Sequence, residues 1–253
     1  MRRIVLKVGS AVLTQDSALA LDRLKNLVHL IAELKTEYEV ILVSSGAVAA
    51  GYTLLQLDKK ITANKQALAS LGQPLLLDTY RKNFDKCQIL CSQVLLEATI
   101  FKDETRLNHA RDAIDTLLQH GVVPIINEND VTAVEELVFG DNDQLSAYVT
   151  HYFSAEMLVI LTDIDGYYDE NPHIHKDAQL QKIVTSIDEK SLLENHSANS
   201  EFATGGIVTK LKAADFLMKN NNQMFLTSGF NLECAKSFLI DKIHSNGTLF
   251  KLK

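Results

Sequence analysis

Short runs of consecutive apolar residues recur along the chain, and most of them end in small or polar residues. Runs of this length that are apolar on both faces are typical of strands buried in a parallel sheet. We predict strands at residues 3–8, 40–43, 122–126, 157–161 and 223–227, with a weaker candidate at 89–91.

Helical patterns separate these strands. Apolar residues recur at three- and four-residue spacing from Leu24 to Leu34, with Asp22 as the expected N-terminal cap. Further helices are predicted at 47–50, 103–120 and 145–153, the second ending before Gly121. Strands that alternate with helices indicate an α/β fold with one mostly parallel sheet.

The residues that follow the strands are polar and small, at 9–10, 44–46, 127–130 and 162–166. In open parallel sheets, ligands bind at the carboxyl ends of the strands. We therefore expect the functional site among these four turns.

The composition excludes several classes of protein. The chain has 253 residues, enough for one large domain or two small ones, and a net charge of −7. This charge argues against a general nucleic-acid or anionic-membrane binder. No apolar run is long enough to span a membrane. The three cysteines are expected to be free thiols in a reducing compartment.

No P-loop and no Gly-x-Gly-x-x-Gly fingerprint is present, so a nucleotide would have to be held in another way. Lys7 at a strand end is either a phosphate ligand or a solvated edge lysine. The turn at 44–47 is either an anion site or an ordinary helix cap. The glycine turn at 204–206 leads into a helix with Lys210, a layout that suits phosphate.

Acidic and amide side chains cluster after the third long strand and again at 140–143. The segment at 127–130 carries four polar side chains, more than a plain turn requires. His173 and His175 are interpreted as solvated, since no third ligand stands at metal spacing.

Together these segments resemble the glutamate 5-kinase branch of the amino acid kinase family. The matching segments are KVGS at 7–10, VSSGA at 43–47, PIINEND at 124–130, FGDNDQLS at 139–146, LTD at 161–163 with Gly166, and TGGIVTK at 204–210. The resemblance implies a three-layer αβα sandwich around an open, mostly parallel sheet, with residues 1–253 forming a single domain. Residues of about 1–150 would bind the amino acid, and about 151–253 the nucleotide.

The resemblance also implies roles for individual residues. Lys7 and Lys210 would contact the phosphates of ATP, which binds with Mg²⁺, and Asp143 would orient both lysines. Glutamate would be bound by Ser45, Asp130 and Asn142. The remaining expected ATP-binding residues are Thr162, Asp163, Thr204, Gly205, Gly206, Ile207, Val208 and Thr209. No residue is expected to be a metal ligand.

The family further implies a cytoplasmic, homo-oligomeric enzyme of proline biosynthesis with proline as a feedback inhibitor. Many family members continue into a PUA domain associated with RNA binding, whereas this chain ends at Lys253; we expect no nucleic-acid and no membrane partner. Two alternatives stay open. One is a kinase of the same fold for acetylglutamate or aspartate, and the other is a non-catalytic amino-acid sensor.

Overall fold

The computed structural model describes residues 1–16, 18–132, 142–170, 174–188, 191–192 and 206–252. Its strands are β1 (Arg2–Val8), β2 (Thr14–Gln15), β3 (Ala18–Leu19), β4 (Tyr38–Ser44), β5 (Cys91–Leu96), β6 (Val123–Glu128), β7 (Met157–Thr162), β8 (Ile183–Val184), β9 (Gln223–Ser228) and β10 (Thr248–Phe250). Its helices are α1 (Ser10–Leu13), α2 (Leu21–Leu34), α3 (Ala47–Tyr52), α4 (Thr62–Lys86), α5 (Glu104–Gln119), α6 (Asn142–Tyr152), α7 (Ile207–Lys219) and α8 (Glu233–Lys236).

One open sheet organises the described residues, with strand order β5-β6-β4-β1-β7-β9-β10-β8. From β5 to β9 every neighbouring pair is parallel, and β10 runs antiparallel to β9. The prediction of a mostly parallel sheet is confirmed. The order brings the carboxyl ends of β6, β4, β1 and β7 side by side.

Helices cover both faces of this sheet, because alternate residues of a strand point to opposite sides. On β1, Ile4 and Leu6 pack in the layer that contains α2 and α4. Val5 packs in the opposite layer, formed by α5, α6 and α7. The three-layer αβα sandwich is therefore confirmed.

The long helix α4 was not anticipated from the sequence. Pro74 lies inside it, and proline normally disfavours a helix interior. Tight packing against α3 stabilises α4, since a Cβ added at Gly72 would stand 1.8 Å from the carbonyl oxygen of Ala47. This contact fixes the position of Gln73, which accepts a hydrogen bond from Asn127 at the end of β6.

The five long predicted strands are confirmed, and two details are wrong. The candidate strand at 89–91 forms further along, as β5 (Cys91–Leu96). The cap position of α2 is Ala20, and Asp22 lies in the first turn instead. Gly121 follows α5 with a φ of +72°, as expected of a terminating glycine. Cys87, Cys91 and Cys234 are unbridged.

Within the described ranges, the helices include none whose length and apolar character would suit it to crossing a bilayer.

Candidate active site

A cleft of about 680 Å³ opens at the carboxyl ends of β6, β4, β1 and β7. It brings together residues that are far apart in the sequence. The expected site residues that line it are Lys7, Ser45, Asp130, Asn142, Thr162, Asp163, Gly206 and Lys210.

Asp143 lies behind the cleft wall and joins two lysines from different parts of the chain. Its side chain is fully buried, and Oδ1 lies 2.5 Å from Nζ of Lys7. Oδ2 accepts a hydrogen bond of 3.1 Å from Nζ of Lys210. Lys7 comes from the middle of the sheet, Asp143 from the first turn of α6 and Lys210 from the first turn of α7. One carboxylate thus holds two buried ammonium groups at the cleft.

The start of α7 is tied to the same carboxylate. The hydroxyl of Thr209 donates to Oδ2 of Asp143 over 2.9 Å. Lys210 also donates to the carbonyl oxygen of Gly206 over 3.0 Å. These bonds tie Gly206 and the first turn of α7 to Asp143, and they limit the directions that the Lys210 ammonium can take.

A chain of side-chain amides crosses the other end of the cleft. Asn142 donates from Nδ2 to Oγ of Ser45 and to Oδ1 of Asn127, both over 2.9 Å. Asn127 in turn donates to Oε1 of Gln73 over 2.9 Å. Asn127 and Gln73 are buried, so each of these polar groups requires its partner. The chain fixes the orientation of Asn142 toward the cleft.

Two carboxylates face the cleft beside these amides. Burial raises the pKa of Glu128 to about 6, and the nearby Asp130 and Glu97 act in the same direction. Burial also raises the pKa of Asp130. Each carboxylate has lost part of its solvation, and a cation bound nearby in the cleft would favour its ionised form.

The β7 end of the cleft carries Thr162 and Asp163. The hydroxyl of Thr162 donates to Oδ1 of Asp163 over 2.8 Å. The carbonyl oxygen of Thr162 accepts from the backbone N–H of Gly229 over 2.7 Å, which ties this turn to the end of β9.

Some expected ATP-binding residues lie away from the described cleft wall. Val208 is buried, Ile207 is half-buried against the core, and neither lines the cleft. Thr209 is bonded to Asp143. Thr204 and Gly205 lie outside the described residues.

Three charged residues that line the cleft were not among the predicted site residues: Lys59, Lys65 and Glu128. Glu128 belonged to a segment already marked by its polarity. Lys59 and Lys65 carried no signal, because lysines in a polar stretch are usually solvated.

The same fold is found in solved structures of isopentenyl phosphate kinase, UMP kinase and carbamate kinase. A solved structure of isopentenyl phosphate kinase superposes with a TM-score of 0.68 at 18% identity, covering 98% of this chain and 99% of that one. The model of the amino acid kinase family matches residues 2–228, and this chain belongs to that family.

Proteins named glutamate 5-kinase are similar along nearly the whole chain. The one from Wolinella succinogenes is 56% identical over 99% of this chain and 98% of its own length. The one from Leishmania donovani is 52% identical over 99% of this chain and 95% of its own length.

Proposed function

We propose that this chain is an ATP-dependent kinase that phosphorylates the side-chain carboxylate of glutamate, giving glutamyl 5-phosphate and ADP, the first step of proline biosynthesis. The glutamate 5-kinases at 56% and 52% identity support the substrate. The observation that carries the chemistry is the buried pair of lysines held by Asp143 at the cleft.

The reaction transfers the γ-phosphoryl group of ATP. An oxygen of the glutamate γ-carboxylate forms a bond to the γ-phosphorus, while the bond to the β,γ-bridging oxygen breaks and ADP leaves with that electron pair. The nucleophile is already ionised at neutral pH. No proton has to be removed, so the cleft needs no general base.

The main barrier is the repulsion between the anionic nucleophile and the triphosphate. Preorganised positive charge lowers such a barrier because it is aimed at charge that develops in the transition state. Lys7 and Lys210 are the groups that we assign to this role, and Asp143 sets their directions. Mg²⁺ enters as part of MgATP and adds positive charge on the phosphates.

The order of the strands suggests how the two substrates share the cleft. Glutamate would lie at the ends of β6 and β4, against Ser45, Asp130 and Asn142. ATP would lie at the ends of β1 and β7, against Thr162, Asp163 and the turn at Gly206. Neighbouring strands are about 4.8 Å apart, so β6 and β7 are separated by roughly 14 Å. That separation leaves room for both ligands side by side.

A coupled ADP-release assay tests this function. Glutamate, N-acetylglutamate and aspartate are each supplied with ATP and Mg²⁺, and we expect ADP only with glutamate. Turnover of another acid instead would identify a kinase of different specificity. Glutamate binding without ADP release from any acid would identify a sensor.

The finer expectations belong to the same proposal. They are inhibition by proline, a homo-oligomer, a cytoplasmic location without nucleic-acid or membrane partners, and a division into an amino-acid lobe and a nucleotide lobe near residue 150. Proline titration of the assay and light scattering of the purified protein test the first two.

A further inference from the structure

At the glutamate end of the cleft, one charged group of the substrate has no oppositely charged partner among the residues assigned so far. Glutamate has an ammonium and two carboxylates. Glu128 and Asp130 are suited to the ammonium, and Lys7 and Lys210 face the transferring phosphoryl group. The α-carboxylate still needs a cation or several donors.

Two further lysines line the same cleft. Among the described cleft residues, Lys59 and Lys65 are the cations that the proposed chemistry does not use. Both belong to the segment that connects α3 to α4 and begins α4. We therefore asked which of them is placed to hold a carboxylate.

The position of α4 assigns this pair to the glutamate end. Gln66, the neighbour of Lys65, donates its side-chain amide to the carbonyl oxygen of Val131 over 3.1 Å. Val131 directly follows Asp130. Further along α4, Gln73 is bonded to Asn127 at the end of β6. The first turns of α4 therefore lie over the turn that follows β6.

Lys59 packs its ammonium over an aromatic ring. Its Nζ lies 3.7 Å from the centroid of the Tyr52 ring, and both residues are half-buried. An ammonium over an aromatic face is attracted by the ring and loses part of its freedom in advance. Tyr52 ends α3, the short helix that begins beside Ser45. Lys65 is exposed.

We propose that Lys59, held over the ring of Tyr52, binds the α-carboxylate of the amino-acid substrate and selects for it. This inference rests on the proposed function. Lys65 supplies longer-range attraction at the mouth of the cleft.

The test compares glutamate with isoglutamine, whose α-carboxylate is replaced by a neutral amide and whose γ-carboxylate is free. A charge-assisted contact of this kind corresponds to about tenfold or more in affinity. In Lys59→Met we expect KM for glutamate to rise about tenfold, with KM for ATP nearly unchanged. The preference for glutamate over isoglutamine, as the ratio of kcat/KM values, should fall by a similar factor.

Matched variants exclude a general effect of lost charge. Lys60→Met removes the adjacent, exposed lysine. This variant should keep the wild-type KM for glutamate and the wild-type preference for glutamate over isoglutamine. Lys59→Arg should retain most of the preference. Tyr52→Leu removes the ring and should give a smaller loss in the same direction. Melting temperatures of all variants show whether each is folded.

An undiminished preference for glutamate in folded Lys59→Met would overturn the assignment, and so would a loss that appears in Lys65→Met alone. In both cases the wild type still releases ADP with glutamate, so the proposed function stands. If the wild type itself fails with glutamate, both proposals fail, and the wild-type arm shows this without any variant.

Discussion

The side-chain amide of Asn127 donates a hydrogen bond of 2.9 Å to Oε1 of Gln73, and both residues are buried. This bond turns the carbonyl oxygen of Asn127 toward Asn142, which donates to it over 2.9 Å. A residue on α4 thereby sets the orientation of a proposed substrate ligand on α6, although Gln73 itself makes no assigned contact with substrate.

Gln73 should therefore act as a positioning residue. Gln73→Met removes the acceptor and leaves the Asn127 amide without its partner. We expect KM for glutamate to rise several-fold, with a smaller change in kcat, and a stability loss of about 1–3 kcal/mol. Gln73→Glu keeps an acceptor, so its KM for glutamate should lie close to the wild-type value. A Met variant that loses stability but keeps its KM would reduce Gln73 to a structural role.

Substitution of either buried lysine should affect the chemical step. Lys7→Met and Lys210→Met each remove positive charge that is best matched in the transition state, so kcat should fall about a hundredfold. KM for glutamate should change much less. Lys212→Met, an exposed lysine two residues further along α7, is the control. Near-normal kcat in either variant would remove that lysine from the catalytic role.

Asp143→Asn should lower both kcat and stability. The change leaves two buried ammonium groups without their carboxylate, and breaking a buried ion pair in this way costs about 3–5 kcal/mol. Adding Lys7→Met to Asp143→Asn removes one uncompensated charge, so the double variant should be more stable than Asp143→Asn alone. Urea unfolding of Asp143→Asn, Lys7→Met and the double variant measures this coupling. Additive stability losses would contradict it.

Asp130 should select a free α-amino group. Loss of a charge-assisted hydrogen bond to the substrate ammonium corresponds to about 10- to 150-fold in affinity. In Asp130→Ala we expect KM for glutamate to rise within that range, with less change in kcat. N-acetylglutamate lacks the cation and should be a poor substrate of the wild type. An unchanged KM together with a lowered melting temperature would show that Asp130 only closes the turn.

Glu128 should make stability depend on pH. Its pKa of about 6 in the folded protein lies above the ordinary value of 4.5, so ionisation disfavours the folded state. The contribution of neutral Glu128 to the stability of the folded protein is fully present below pH 4.5, the ordinary pKa, and is lost as the pH rises through about 6. Glu128→Gln cannot ionise and should melt higher than the wild type at pH 8, with the difference shrinking toward pH 5. A difference that is constant with pH would contradict this explanation.

The sequence by itself determined the five long strands β1, β4, β6, β7 and β9, because each contains a continuous apolar run that ends at small or polar residues, and burial in a parallel sheet requires such runs. It also marked Lys7 and Lys210 as candidate phosphate ligands, since each stands beside a glycine turn. The long helix α4 escaped prediction because its stability comes from close packing on α3 at Gly72, which no local pattern encodes.

Only the tertiary structure decided which charges meet. Lys7, Asp143 and Lys210 stand on three separate elements, and their contact depends on β1 lying in the middle of the sheet beneath α6 and α7. Lys59 reached the cleft in the same way, through the placement of α3 and α4. The free energy of a buried ion pair or a cation over a ring depends on distances of a few ångströms. Such distances between residues remote in the chain are set by the packing of whole elements rather than by the local sequence.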